Sequence, residues 1–233
     1  MASEQKPSGR LRGVSLGPGS PDLITVRGLE ALRSSGVIYY PVAGRGGRCL
    51  AVLSHYGLDD RAKPFAVDMK DRSSAERSYA DARSAVRADL ERGIDVAVVC
   101  EGCVSLYSTV FRVLSAGGFC GFELVPGVSS PSAAAAAAGV CLCLGNGGVA
   151  VVTGGDLRDI ESAVEKFESV VVLKPAPGIA PLVREKGLDF VYCRDLGGEG
   201  HLVTGREEDI ADEDFPYFSL LIISKRLNKC RET

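Results

Sequence analysis

The chain has 233 residues, of which 45% are hydrophobic and 24% are charged, and its formal net charge is −3. This balance is typical of a folded globular protein and excludes an intrinsically disordered chain. The slight negative charge provides no general attraction to nucleic acid or an anionic membrane, and the longest apolar stretch, at residues 133–144, is too short to span a bilayer.

The first ten residues, MASEQKPSGR, lack the apolar segment of a secretory signal, so we expect a cytoplasmic protein without a membrane partner. In that reducing compartment the eight cysteines are expected to be thiols. The spacings CEGC and CLC suggest a metal or redox site, but the chain has only two histidines and no second CxxC. We therefore predict no metal site, and expect Cys100, Cys141 and Cys143 to be small buried residues of apolar runs.

Strand and helix patterns alternate in the first hundred residues. Short apolar runs predict strands at residues 11–16, 37–41 and 94–100. Ser20 is a suitable N-cap for a helix that has Pro21 in its first turn and ends at Gly36. A second helix, of mixed charge, is predicted from residue 76 to about residue 92. Since strands 11–16 and 94–100 flank such crossover helices, the sequence predicts a parallel α/β sheet.

The second half opens with a helix of small residues, SSPSAAAAAAG. This composition suits close packing or close approach of a ligand, and equally a helix that forms only because alanine has high helix propensity. Strands are predicted in GVAVVTGG, SVVVLKP, DFVYCRDL, HLVTG and YFSLLIIS, and helices at residues 157–168 and 179–186. We therefore predict an α/β fold of two lobes with mixed or parallel sheets flanking a cleft, residues 1–126 forming the N-terminal lobe and residues 127–233 the C-terminal lobe.

Three unusual loops follow predicted strands: GPGSP at residues 17–21, EGCVSLYST at residues 101–109 and PGVSS at residues 126–130. Ligands of open α/β sheets collect at the carboxyl ends of strands, so these loops are candidates for one site. The first is not a dinucleotide fingerprint, because Asp22 stands where the third glycine should be and Tyr40-Pro41 where a ribose-binding acid should be.

The ordered set of loops resembles the tetrapyrrole methylase family, over nearly the whole chain from about residue 11 to residue 227. The segment GVSLGPGSPDLITVRGLEALRSSGVIYYP resembles the family's opening strand, loop and helix, and YFSLLIIS its closing strand. The run SLYST and the turn VPGVSS are similar to the branch that methylates carbon 20 of precorrin-2 or of its cobalt-bearing counterpart.

The resemblance implies two α/β lobes, a homodimer, and S-adenosylmethionine as the methyl donor, folded between the lobes. It implies that Pro18 lies at the reactive end of the donor. It further implies that Glu101, Gly102 and Cys103 of the second loop hold the methionine portion, with Leu106 nearby. Ser129 and Ser130 would add hydrogen bonds, and Lys174 and Ser219 would lie near the adenosine.

One departure concerns the second loop, where Cys103 and Val104 replace the family's aspartate and proline. If the loop binds the donor through backbone amides, the cysteine still supplies its N–H. If the aspartate side chain binds the donor's ammonium group, affinity should fall by about ten- to a hundredfold, which is the loss of one charge-assisted hydrogen bond. Glu101, two residues earlier, is then the candidate substitute.

Methylation of carbon 20 also requires loss of a proton, and Tyr107 and Glu101 are the candidate acceptors because they lie in the same loop. The carboxylates of the substrate need donors, for which we expect the amides of Gly17 and Gly19 and the guanidinium of Arg27. Arginines 45, 48, 72 and 77 are further candidates.

The expected function is therefore S-adenosylmethionine-dependent methylation of precorrin-2 at carbon 20, in corrin-ring assembly. Three alternatives stay open at this point: the same methylation of the cobalt-bearing substrate, a catalytically weakened protein that sequesters the tetrapyrrole or the donor, and a methylase of the same fold acting on RNA or on a protein histidine. The absence of a basic stripe in the sequence argues against RNA.

Overall fold

The computed structural model describes residues 9–42, 47–67, 72–119, 121–210, 215–225 and 227, without the side chain of Arg72. It divides the chain into two compact units, Met1–Ser129 and Ser130–Thr233. Arg45 lies outside the described residues. No helix among the described residues is long and apolar enough to cross a membrane.

The first unit contains one parallel sheet of five strands in the order β3-β2-β4-β1-β5. Among the described residues, four α-helices connect these parallel strands. Only the connection from β2 to β3 joins neighbours in the sheet, and each of the other three passes one intervening strand. The strands are β1 (Leu11–Ser15), β2 (Val37–Val42), β3 (Ala62–Ala66), β4 (Val96–Cys100) and β5 (Glu123–Val125), and the helices are α1 (Val26–Arg33), α2 (Arg48–His55), α3 (Arg72–Glu91) and α4 (Thr109–Ser115).

The central strand β4 is buried on both faces, and this explains its uninterrupted apolar sequence. Val96 and Val98 pack into the hydrophobic cluster that includes α3 and α4. Ala97 and Val99 pack into the cluster on the opposite face, with α1 and α2. The sheet is therefore covered by helices on both sides, and the carboxyl ends of β1, β4 and β5 lie at one edge of it.

The second unit contains a mixed sheet in the order β6-β7-β10-β8-β9. Among its described strands, only β6 and β7 pair in parallel; β10 is antiparallel to both β7 and β8, and β8 is antiparallel to β9. The strands are β6 (Val149–Thr153), β7 (Ser169–Leu173), β8 (Phe190–Arg194), β9 (Leu202–Thr204) and β10 (Ser219–Ser224), and the helices are α5 (Ser130–Ala138), α6 (Leu157–Lys166) and α7 (Ile179–Glu185).

The alanine-rich helix α5 packs directly on this second sheet. Ala134 and Ala135 are buried in the cluster that contains Val171 and Ile222. The small side chains therefore serve close packing of helix on sheet, which was one of the alternatives left open by composition.

The prediction of an α/β fold with a parallel and a mixed sheet is confirmed. The prediction of Ser20 as the cap of the first helix is wrong: Pro21–Leu23 form only a short 3-10 turn and Ile24 is extended. Helix α1 begins after Thr25, whose side chain accepts a hydrogen bond from the Gly28 amide at 3.0 Å. The helix was placed too early because Ser20 and Pro21 are equally suitable in a 3-10 turn.

The expectation for the CLC segment is also wrong. Cys141 is exposed, Cys143 is half-buried, and neither lies in a strand. Gly139 and Gly145 adopt positive φ angles of 66° and 58° on either side, so the chain turns here instead of extending. Cys100 is buried as expected, and all six described cysteines are free thiols.

Candidate functional site

The loops after β1 and β4 are joined by a pair of backbone hydrogen bonds. The Gly102 amide donates to the Gly17 carbonyl at 2.8 Å, and the Gly17 amide donates to the Gly102 carbonyl at 3.3 Å. Both glycines have positive φ, 81° for Gly17 and 75° for Gly102, so these positions favour a residue without a side chain. The GPG and EGC loops therefore form one continuous backbone surface at the edge of the sheet.

Ser15, the last residue of β1, links the same two loops to the third. Its hydroxyl donates to the carbonyl of Val125 at 3.0 Å and accepts the amide hydrogen of Val104 at 2.8 Å. A Cβ on Gly127 would approach the Ser15 Cβ to 2.5 Å, so only glycine fits there without displacement. Sequence reasoning missed Ser15, although a hydroxyl that ends a buried apolar strand was a usable signal.

The side chain of Cys103 is surrounded by hydrogen-bond donors from these loops. Its Sγ lies 3.0 Å from the Ser105 hydroxyl. Partial burial raises the pKa of the thiol, but hydrogen bonds from the Ser105 side chain and from the backbone N–H groups of Gly127 and Ser105 outweigh it, so the pKa is lowered. Cys103 is half-buried and Val104 is buried, so the thiol lies at the surface of the loop.

Glu101, which follows β4, forms an ion pair with an arginine of another element. Its carboxylate pairs with the Nε of Arg48 at 3.1 Å, and both side chains are largely covered, with 21% of Glu101 and 18% of Arg48 exposed. Arg48 begins α2, which follows β2, and β2 is the neighbour of β4 in the sheet. The topology of the sheet therefore brings this arginine to the candidate site, and the sequence named it only among four further arginines.

The rest of the second loop leads into α4. Leu106 is half-buried, and its amide donates to the Cys103 carbonyl at 3.1 Å. Tyr107 has a positive φ of 50° and 57% of its surface exposed. Such a conformation is strained for a residue with a side chain and is found most often at functional sites. Ser108 then caps α4 by accepting the Val110 amide.

The remaining predicted residues of the first unit differ in burial and in their polar contacts. Pro18 is buried, and Gly19 and Ser129 are half-buried. Arg27 pairs with Glu123 at 2.6 Å, and Glu123 pairs with Arg12 as well, at 3.3 Å. Arg27 is therefore engaged by an acidic side chain of its own unit.

In the second unit, the structure brings Lys174 and Ser219 together. Lys174 follows β7, Ser219 begins β10, and the Lys174 amide donates to the Ser219 carbonyl at 3.1 Å. Lys174 has a positive φ of 51°, and its Nζ lies 4.4 Å from the centre of the Tyr217 ring. Sequence reasoning missed Tyr217. Ser130 begins α5 of the same unit.

The sequence profile of the family described as Tetrapyrrole (Corrin/Porphyrin) Methylases matches residues 10–211 of the chain. Two curated relatives align over nearly their full length. The cobalt-precorrin-2 C(20)-methyltransferase of Salmonella typhimurium is 30% identical over 94% of this chain and 98% of its own. The precorrin-2 C(20)-methyltransferase of Sinorhizobium sp is 28% identical over 92% of this chain and 95% of its own.

Solved structures share the fold. Cobalt precorrin-4 methyltransferase, CbiF, superposes with a TM-score of 0.67 at 19% identity, over 94% of this chain and 95% of its own. The uroporphyrin-III C-methyl transferase of Thermus thermophilus, complexed with S-adenyl homocysteine, gives a TM-score of 0.63 at 20% identity, over 95% of this chain and all of its own. The resemblance identified from the three loops is thus confirmed, and the chain belongs to the tetrapyrrole (corrin/porphyrin) methylase family.

Proposed function

We propose that this chain is an S-adenosylmethionine-dependent methyltransferase that methylates carbon 20 of precorrin-2 in the biosynthesis of the corrin ring. The family match and the full-length similarity to two C(20)-methyltransferases support this substrate. The structural observation that carries the proposal is the joining of the GPG, EGC and PGVSS loops through Ser15 and the Gly17–Gly102 hydrogen bonds.

The surface formed by these loops fits the chemistry of a positively charged donor. A Cβ added to Gly102 would meet no atom within 4 Å, so the backbone there faces open space that a ligand can approach. Glu101 supplies a carboxylate and Cys103 a thiol of lowered pKa, in the loop that follows the central strand. We propose that Pro18, Glu101, Gly102, Cys103, Leu106, Ser129 and Ser130 hold the methionine end of the donor, and Lys174 and Ser219 the adenosine.

The donor supplies an activated methyl group on a sulfonium. A bond forms between this methyl carbon and carbon 20 of the substrate while the carbon–sulfur bond breaks, and S-adenosylhomocysteine is released. The protein's main task is therefore to align the two carbons, and such positioning supplies about 7–11 kcal/mol of a bimolecular barrier. The loops joined by Ser15 provide a rigid surface for this alignment.

The proton that leaves carbon 20 passes to a base, for which Tyr107 and Glu101 are the proposed acceptors. The Glu101 carboxylate is already engaged by Arg48 at 3.1 Å, whereas Tyr107 is exposed and has a positive φ of 50°. If Tyr107 takes part in this proton transfer, Tyr107→Phe should lower kcat by about a hundredfold, the lower end of the range for general acid–base catalysis. Unchanged kcat would leave Glu101 or water as the acceptor.

We propose that the amide of Gly19 and the guanidinium of Arg27 bind carboxylates of the substrate. The amide of Gly17 was expected to contribute as well, but it donates to the Gly102 carbonyl at 3.3 Å, so a carboxylate there would have to share this hydrogen. Because Arg27 is paired with Glu123, a substrate carboxylate would have to displace or share this contact. Arg27→Met is expected to raise KM for the tetrapyrrole and to leave KM for the donor unchanged.

The second candidate is methylation of the cobalt-bearing substrate, which the name of the Salmonella typhimurium relative favours. Purified protein incubated with labelled donor and precorrin-2, with and without cobalt, distinguishes the two. Transfer of label to the metal-free pigment supports the first candidate, and transfer only with cobalt supports the second. Binding without transfer would contradict both and favour a sequestering protein.

We further propose a cytoplasmic homodimer, on the basis of the family resemblance. Light scattering coupled to size-exclusion chromatography tests the oligomeric state, since a dimer of this 24.5 kDa chain would have twice that mass. Cell fractionation tests the location.

A further inference from the structure

The contact between Arg48 and Glu101 joins two parts of the first unit that are distant in sequence. Arg48 is the first residue of α2, and Glu101 is the first residue after β4. Their side chains meet at 3.1 Å and are mostly removed from solvent. Removing two charges from water costs free energy, which an ion pair recovers only when its geometry is good. This pair lies at the start of the loop after β4, within the candidate site, so we asked what it contributes to ligand binding.

Helix α2 is anchored in the core next to Glu101. Cys49, which follows Arg48, is buried in the hydrophobic cluster that contains Val99 of β4. Burial and the nearby charge of Glu101 raise the pKa of the Cys49 thiol. The first turn of α2 is therefore fixed beside the end of β4, which restricts the direction from which Arg48 reaches the carboxylate.

We propose that Arg48 is a positioning residue that fixes the Glu101 carboxylate, in its ionised form, as the negative charge that receives the ammonium group of the methyl donor. This inference rests on the proposed function. Opposite charge close by favours the ionised carboxylate. The buried thiols of Cys49 and Cys100 also interact electrostatically with Glu101, and neither supplies a positive charge.

Two ligands that differ only in their amino-acid portion can distinguish this role from a purely structural one. S-adenosylhomocysteine carries the ammonium group, whereas 5′-methylthioadenosine lacks it. In Arg48→Met, the Kd for S-adenosylhomocysteine measured by calorimetry should rise about tenfold, the effect of one weakened charge-assisted contact. The Kd for 5′-methylthioadenosine should stay the same. Arg48→Lys should recover most of the lost affinity.

Arg83 offers a matched control in the same unit. It pairs with Glu76 at 2.9 Å and its side chain is 17% exposed, close to the value for Arg48. Arg83→Met should leave the affinities for both ligands unchanged. If Arg48→Met fails to fold, Glu101→Gln takes its place, with the same expected loss confined to S-adenosylhomocysteine.

Equal losses for the two ligands, or no loss for either, would overturn the inference and leave Arg48 with a structural role. A combined Arg48→Met, Glu101→Gln variant should bind S-adenosylhomocysteine no more weakly than Glu101→Gln alone, and additive losses would also contradict the inference. Failure of the unaltered protein to bind S-adenosylhomocysteine would instead contradict the proposed function.

Discussion

The Ser15 hydroxyl accepts the amide hydrogen of Val104 at 2.8 Å, and this contact joins the end of β1 to the loop that follows β4. The same hydroxyl donates to the Val125 carbonyl, so one fully buried side chain holds three strand ends together. Removing it leaves two buried backbone groups without their partner.

Ser15→Ala should therefore lower the free energy of unfolding by about 1–3 kcal/mol, the cost of unsatisfied buried polar groups. It should also weaken binding of S-adenosylhomocysteine, because the loops lose their common anchor. Urea denaturation and calorimetry measure the two effects. Ser169→Ala is the control: its hydroxyl bonds to Ser224 at 2.7 Å in the second unit, and its loss should affect stability only. Full affinity in Ser15→Ala would refute the anchoring role.

Gly127→Ala tests the close approach of the third loop. The new Cβ would be placed 2.5 Å from the Ser15 Cβ, an atom too near the backbone to move aside. We expect a loss of about 1–3 kcal/mol in the free energy of unfolding, as for other overpacked sites. Gly155→Ala, whose Cβ would meet its nearest atom only at 3.9 Å, should have little effect. Equal stability of the two variants in a thermal melt would contradict the predicted clash.

Cys103 should react with iodoacetamide at a lower pH than an ordinary thiol. Its hydrogen bonds outweigh burial and lower its pKa, so the thiolate is present below the usual value of 9.0. Mass spectrometry of digested protein after alkylation at a series of pH values gives the midpoint for this residue. Cys193 is the internal control, because burial raises its pKa to about 12 and should leave it unreactive. A Cys103 midpoint at or above 9.0 would contradict the prediction.

Asp89 should make the free energy of unfolding of the first unit fall at acidic pH. Its carboxylate is 5% exposed and accepts hydrogen bonds from Tyr39 at 2.8 Å and from Lys63 at 2.9 Å. Burial raises its pKa, but these bonds and the charges of Lys63 and Arg92 outweigh it and lower the pKa below that of the unfolded chain.

The stabilising contribution of Asp89 is therefore complete above the unfolded pKa of about 4 and is lost as the pH falls through the lower, folded value. At pH 7, Asp89→Asn should reduce the free energy of unfolding by about 2 kcal/mol, the value of hydrogen bonds to a charged group. The difference from the unaltered protein should shrink as the pH is lowered to 3. Asp60→Asn, at an exposed position, should change little, and a constant difference across this range would disprove the linkage.

The sequence predicted those parts of the fold that depend on local pattern. The apolar run of β4 indicated a strand buried on both faces, and the glycines of the GPG and EGC loops indicated strand ends where backbone is exposed. Helix α2 and strand β3 were not predicted. RCLAVLSH is short and has no capping side chain, and β3 contains Pro64, which is tolerated because β3 is an edge strand.

The contacts within the candidate site depend on the order of strands more than on local pattern. Arg48 and Glu101 meet because β2 and β4 are neighbours, and no motif in the sequence relates the two positions. Ser15 and Val104 meet because β1 and β4 are neighbours. Individual loops could thus be recognised from sequence, whereas the side chains that hold them together required the sheet order.

The position of β10 has a consequence for biosynthesis of the protein. This strand lies between β7 and β8, although it is made after both of them. Until Ser224 has left the ribosome, the strands already synthesised can form only two separate two-stranded ribbons, which are marginally stable in water. The parallel sheet of the first unit is complete by Val125, so we expect it to fold during translation before the second sheet, which requires β10.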